Sequence, residues 1–218
     1  MNKAVVSVSV ITANYNNGDY LDDFINSINN SSILPEEMII INDGSTDDSL
    51  TILEKYSSLS YLKIIAFPEN KGFCNALNAG IECAKGKYIM RIDPDDIALP
   101  SRIEKQYKFL EKNHDIDVLG SNTTYFHNNT GKEIITSNFP LNHDQIKQKF
   151  YSGEHGVQHP STMIRSSVMK KYKYDQDNFR AEDYEIFAKM INDGCKFANI
   201  KEPLTKMRVH SKSVSINI

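Results

Sequence analysis

The stretch Met38-Ile39-Ile40-Ile41-Asn42-Asp43-Gly44-Ser45-Thr46-Asp47-Asp48 decides the fold. Four apolar residues in a row, with no polar alternation, describe a strand buried on both faces, as in a parallel sheet. The run breaks at Asn42-Asp43-Gly44, a turn. Ser45 to Asp48 then offer capping side chains to a helix that Leu50, Leu53 and Tyr56 continue. Strand, polar turn and helix make one β-α unit, and sheets built of such units bind ligands at the carboxyl ends of their strands.

The unit repeats on both sides. Upstream, Val5 to Ile11 reads as a first strand, and Leu21, Phe24, Ile25 and Ile28 recur at helical spacing behind Gly18-Asp19. Downstream come a strand from Tyr61 to Phe67, a helix from Phe73 to Ala84 that stops at Gly86, and a fourth strand from Tyr88 to Ile92. This rhythm predicts an α/β fold, a Rossmann-like, mostly parallel sheet with helices on both faces, in a single domain over residues 1–218. After Pro100 the rhythm loosens. Ile103, Tyr107 and Leu110 suggest a helix, Val118 to Ser121 a strand, and Tyr125 to Gly131 a strand running into a turn. A long polar-aromatic stretch follows, then an amphipathic helix from Asp183 to Asn192 ending at Gly194.

Composition narrows the class. The 218 residues carry 25 Lys and Arg against 28 Asp and Glu, a formal charge of −3 with histidine neutral. No basic excess is present to neutralise phosphates along a groove, so nucleic acid is not the expected partner. With 40% hydrophobic residues, 10 Gly and 7 Pro, usage is ordinary for a globular chain and unlike disordered, collagen-like or coiled-coil sequences. The N-terminal apolar run is interrupted by Ser7 and Ser9 and lacks a small-residue cleavage site, and no later stretch approaches the roughly 20 apolar residues of a membrane span. Cys74, Cys83 and Cys195 form no C-x-x-C pair, so a reduced, cytoplasmic protein is expected. The sequons at Asn30, Asn122 and Asn128 are accordingly read as chance in an Asn-rich chain.

Three polar clusters fall where strands end: Tyr15 with its Asn neighbours, residues 42–47, and Asp93-Pro94-Asp95-Asp96. Three carboxylates in four residues repel unless a cation is shared, and hard oxygen ligands favour Mg²⁺ or Mn²⁺. Alone, such a triplet is equally a solvated turn or an acidic helix start. The preceding apolar run from Tyr88 shifts the balance by delivering the acids from a buried strand to the ligand-binding edge. His155 and His159 are four apart but separated by Gly156 and followed by Pro160, which argues against a helical zinc pair and leaves His159 as an acceptor-side residue.

Together these motifs resemble the metal-dependent, nucleotide-sugar-binding glycosyltransferases of family 2. The matching stretches are residues 8–16, residues 41–47, Asn70-Lys71-Gly72 through Asn78-Ala79-Gly80, Gly86 through Asp96, Glu182-Asp183-Tyr184-Glu185, and Pro203-Leu204 through Arg208-Val209-His210. The resemblance implies the glycosyltransferase A-type fold, with residues 1–100 binding the nucleotide sugar and residues 101–218 supplying the acceptor site and the base. It implies that Thr12, Tyr15, Asp43, Lys71, Asp93, Asp95 and Arg208 contact the donor, Tyr15 by stacking on a uridine-type base and Asp43 by accepting the base's ring N–H. Asp95, Asp96 and His210 would hold Mn²⁺ or Mg²⁺, and Asp183 would deprotonate the acceptor hydroxyl in an inverting transfer.

Three positions depart from that pattern. Asn42 stands where many relatives have Asp, Leu77 where many have Arg, which leaves Lys71 as the candidate replacement cation, and Met207 where Tyr is frequent. A nucleotidyltransferase is the rival enzyme class, but the turn from Thr12 to Gly18 lacks its Gly-rich, basic phosphate loop. A non-catalytic binding module would need no base such as Asp183. The chain has no Trp and no span, so the devices of processive polymerising relatives are absent. The expected enzyme is distributive and adds one sugar from a UDP-sugar to a glycan or lipid-linked acceptor, plausibly a bacterial surface-polysaccharide precursor at the inner face of a membrane.

Overall fold

The computed structural model describes residues 3–176 and 181–211. Its first half follows the expected rhythm: β1 (Val5–Asn14), α1 (Gly18–Asn29), β2 (Leu34–Asp43), α2 (Ser49–Glu54), β3 (Leu62–Phe67), α3 (Phe73–Cys83) and β4 (Tyr88–Arg91). Then come β5 (Ile97–Ala98), α4 (Arg102–Lys112), β6 (Val118–His127), β7 (Glu133–Thr136) and α5 (His143–Tyr151). A 3-10 turn at His159–Ser161 precedes β8 (Met163–Arg165), α6 (Ser166–Lys171), α7 (Glu182–Asn192) and β9 (Phe197–Val209).

The strands form one sheet in the order β3-β2-β1-β4-β8-β6-β9-β5, with β7 paired to β6. β3, β2, β1 and β4 are parallel. β8 is antiparallel to both β4 and β6, and thereby joins the parallel block to the second half, where β6 and β9 run parallel. Successive side chains of the decisive run point to opposite faces. Met38 and Ile40 pack with Leu21 and Phe24 of α1 and Ile103 of α4, while Ile39 and Ile41 pack with Leu77 and Ile81 of α3 and Phe187 of α7. All four strand residues are fully buried, and each contributes roughly 1.5–3 kcal/mol. Helices on both faces therefore explain why the run shows no alternation.

Local signals acted differently from the sequence reading in two places. α3 ends at Cys83, because Ala84 is already extended (φ −64°, ψ 133°). Gly86 serves as a close contact instead: its N–H donates to Ser9 Oγ at 2.9 Å, and a Cβ there would stand 2.6 Å from the Ser9 nitrogen. At α2 the N-cap residue Asp48 makes no side-chain cap, whereas Asp47 Oδ1 accepts the Ser49 N–H at 3.0 Å.

Beyond Pro100 the structure is more regular than the sequence suggests. β6 is a single strand through Ser121-Asn122-Thr123-Thr124, all buried polar residues. Their partners lie far away in sequence: Asn122 Nδ2 donates to the Lys201 carbonyl at 2.7 Å, and Ser137 Oγ accepts the Thr123 N–H at 2.9 Å. The polar-aromatic stretch contains α5, β8 and α6, and β9 pairs along β6 across a register shift near Asn122.

Candidate active site

β1, β2 and β4 end at one edge of the sheet, where their loops open on a cleft of about 1020 Å³. Eight of the ten donor, metal and base residues that the resemblance implies line it, as does His159. The exceptions are Thr12, buried within β1 opposite Ile40 of β2, and Lys71, whose ammonium lies 5.0 Å from the centre of the Phe67 ring.

The loops after β1 and β2 form one body. Asn14 Nδ2 donates to Asn42 Oδ1 at 3.0 Å, which gives the amide at position 42 a structural partner. Asn16, in the left-handed region at φ 56°, accepts the Thr46 N–H on Oδ1 at 2.8 Å and donates its own N–H to Ser45 Oγ at 3.0 Å. Gly44 adopts φ +65°, and a Cβ there would stand 2.3 Å from the Glu69 carbonyl carbon, so the turn brings the 69–72 loop against the strand end. Asp43 closes that contact: Oδ1 accepts the Lys71 N–H at 2.7 Å and Oδ2 the Gly72 N–H at 3.0 Å. Each carboxylate oxygen can accept a further donor from the cleft. Tyr15, 46% exposed, and Phe73 line the same cleft as Asp43.

The acid triplet sits at the mouth of β4. Ligand oxygens of Asp93, Asp95 and Asp96 lie within 4.8 Å of one another. Asp96 is buried, and burial with the neighbouring Asp95 and Asp93 pushes its carboxyl well above the usual carboxylate range. Its Oδ1 accepts the Arg208 backbone N–H at 3.0 Å, whereas Oδ2 is buried with no partner among the described residues. Asp93 pairs with Arg91 Nη2 at 2.5 Å, and Asp95 Oδ2 lies 2.9 Å from His210 Nε2. Clustered hard oxygens, one of them buried and unsatisfied, fit a divalent cation such as Mg²⁺ or Mn²⁺.

Asp183 lies in the first turn of α7, where Glu182, Asp183 and Glu185 complement the helix dipole. Its Oδ1 accepts the Tyr184 N–H at 2.7 Å, and Oδ2 is 3.9 Å from His155 Nδ1. Arg208 is the expected donor contact whose guanidinium is most committed to the protein. Nε donates to the Asp95 carbonyl at 2.8 Å, Nη1 to Asn128 Oδ1 at 2.9 Å and Nη2 to Asp23 Oδ2 at 2.7 Å.

Sequence reasoning missed Arg91, a cation inside the apolar run from Tyr88 to Ile92. A buried guanidinium demands an acid, and Asp93 two residues on was the available signal. It also missed the bond of 2.6 Å between His159 Nε2 and the Tyr174 hydroxyl. Burial, then Arg91 and His155, hold the His159 imidazole well below its usual pKa and so neutral. His155 and His159 do not share a helix, since His159 opens the 3-10 turn, and each lines the cleft with its own neighbour.

The family model described as Glycosyl transferase family 2 matches residues 9–173. An "uncharacterized glycosyltransferase" of Haemophilus influenzae is 41% identical over 95% of the chain and 67% of its own length. The O-antigen biosynthesis glycosyltransferase WbnJ of Escherichia coli is 31% identical over 94% of the chain and 81% of its own. Among solved structures, S. aureus TarS in complex with UDP-GlcNAc superposes with a TM-score of 0.81 at 21% identity, a likeness of fold covering 98% of this chain and 62% of that one.

Proposed function

This chain belongs to glycosyl transferase family 2, and on that premise we propose that it moves one sugar from a uridine diphosphate sugar to a hydroxyl of a glycan or lipid-linked acceptor, with inversion at the anomeric carbon. The observation that carries the reading is that α7 brings Glu182 and Asp183 into the same cleft as the acids of residues 93–96, and the reading uses Asp183 as its one base. One base and one donor-holding cluster suffice for direct displacement, whereas double displacement wants a second carboxylate as nucleophile.

In this reading Tyr15 and Phe73 flank the base, Asp43 accepts its ring N–H, and Asp93 orients the donor. Asp95, Asp96 and His210 hold a divalent cation, which when bound offsets the charge developing on the diphosphate. Asp183 accepts the acceptor's proton as the hydroxyl oxygen bonds to the anomeric carbon, and the bond from that carbon to the diphosphate oxygen breaks with its electron pair leaving on the nucleotide. The names of WbnJ, an O-antigen biosynthesis enzyme, and of TarS bound to UDP-GlcNAc support a surface-polysaccharide role and a uridine donor. No helix of the described residues is long and apolar enough to cross a membrane. We place the reaction in the cytoplasm or at the inner membrane face, with one sugar added per encounter.

Release of nucleoside diphosphate from UDP-sugars, with Mn²⁺ or with chelator, tests the proposal. Metal-dependent UDP release that rises with an acceptor is expected. Formation of pyrophosphate would point to a nucleotidyltransferase, and binding without turnover to a non-catalytic module.

A further inference from the structure

The acid loop of residues 93–96 is closed by one backbone bond of its own, from the Asp96 N–H to the Asp93 carbonyl at 3.2 Å. It runs directly into β5, whose Ile97 and Ala98 pair with Lys206 and Thr205 of β9. Beyond that pairing the end of β9 grips the loop three more times: the Arg208 N–H on Asp96 Oδ1 (3.0 Å), Arg208 Nε on the Asp95 carbonyl (2.8 Å) and His210 Nε2 at Asp95 Oδ2 (2.9 Å). Whatever fixes the end of β9 therefore helps to fix Asp95 and Asp96.

The end of β9 is laddered to β6 as far as His127 and Val209, and α1 adds a second hold through side chains. Its Tyr20 ring stacks on the His210 imidazole, with centroids 4.8 Å apart and planes at 27°. The Arg208 guanidinium lies 5.0 Å from the centre of the same ring and 4.9 Å from that of Phe126, while its Nη2 donates to Asp23 Oδ2, one helical turn on from Tyr20, at 2.7 Å. Arg208 is 8% exposed, and its planar fork joins the acid loop, α1 and the turn after β6 at Asn128 in one bracket. A guanidinium stacked on rings and bonded at its edges is held in orientation as well as in place.

We propose that Tyr20 and Arg208 are positioning residues: α1 grips the end of β9 through them, and β9 thereby aims Asp95 and Asp96 into the donor site. Tyr20 acts through the face of its ring, and Arg208 acts through protein groups rather than on the diphosphate. The functional half of this inference rests on the glycosyltransferase reading above; the mechanical half does not.

The test compares Tyr20→Leu, which removes the ring, with Tyr20→Phe, which keeps it. Backbone hydrogen exchange is followed at residues 95–98 and 206–210, and KM and kcat are measured with UDP-GlcNAc and Mn²⁺. Tyr20→Leu is expected to speed exchange in both segments and to raise the donor KM about tenfold, with kcat within about threefold, while Tyr20→Phe stays near the unmodified protein. Should Tyr20→Leu fold poorly, Asp23→Asn, at a side chain 60% exposed, is expected to shift exchange in the same direction. Unchanged exchange in Tyr20→Leu, or equal damage from Tyr20→Phe, would overturn the proposal. A wild-type protein with no affinity for UDP or any UDP-sugar would sink the uridine-donor reading instead, and the exchange comparison would still decide the bracket.

Discussion

Asn78 and Tyr174 clasp each other through both ends of one amide. Asn78 Nδ2 donates to the Tyr174 carbonyl at 2.9 Å, and its Oδ1 accepts the Tyr174 N–H at 3.0 Å. α3, which stands over the parallel strands, thus holds the segment that carries the Tyr174 hydroxyl to His159 and leads towards Asp183. Replacing Asn78 by Asp turns the donating end into a second acceptor facing a carbonyl. The expected cost is about 1–3 kcal/mol in urea unfolding. A variant with unchanged stability would mean that packing of the Tyr174 ring alone holds the segment.

That clasp shows why the two halves of the chain were unequally legible. The turns and runs around Met38 to Asp48 report on themselves, because burial on both faces imposes an unbroken apolar run that any reader can see. Asn78 also belonged to a visible motif, but its partner is a backbone amide distant in sequence, and nothing local marks Tyr174. The sequence splits β6 at Asn122 because its buried polar residues find their partners on other segments: Ser121 at Ser161, Asn122 at Lys201 and Phe139, Thr123 at Ser137 and Thr124 at Thr136. The residues that line the cleft were legible where a strand delivers them to the edge, as with Asp43, Asp95 and Asp96. Arg208 was legible as a residue but its contacts were not: Asp23 and Tyr20 lie on α1, and no spacing in the sequence connects them to it.

The acid triplet makes a second prediction. Mn²⁺ at about 100 times its Kd should stabilise the unmodified protein by about 2.7 kcal/mol, read as a rise in Tm. Asp95→Ala should lose that rise and abolish transfer while keeping the far-ultraviolet circular dichroism of the fold, since Asp95 stands at the sheet edge and not in the core. Near-normal turnover in Asp95→Ala would remove Asp95 from the cation site.

Glu37 supplies a prediction about pH. It is a buried acid that accepts the Ser9 hydroxyl and the Lys85 N–H, both at 2.6 Å, and pairs with Lys63. Burial pushes its carboxyl up, but the bonds from Lys63, Ser9 and Lys85 outweigh that and hold it below the usual range. A lowered carboxyl pKa stabilises the fold above the unfolded value of roughly 4.3, and that stabilisation is lost as pH falls through the folded value. Glu37→Gln should therefore cost about 1–3 kcal/mol at pH 7, with the gap to the unmodified protein closing as pH drops below about 4. A gap independent of pH down to acid unfolding would show that the charge contributes nothing.

Asp183→Asn tests the chemistry itself. The amide keeps the size of the side chain, and its oxygen can still accept the Tyr184 N–H that now ends on Oδ1. What it loses is the capacity to take a proton. Donor affinity, set by the residues at the ends of β1, β2 and β4, should stay near that of the unmodified protein, while kcat falls by about 10² to 10⁴. His155, with Nδ1 3.9 Å from Asp183 Oδ2, is one neighbour in the cleft that could substitute as base, beside Glu182. The double variant with His155→Gln therefore separates two outcomes. If the second change lowers the residual rate further, His155 was carrying the remaining proton transfer; if it does not, the residue of activity comes from Glu182 or from donor alignment. A loss confined to donor KM, with kcat intact, would make Asp183 a binding residue and would place the base elsewhere in the cleft.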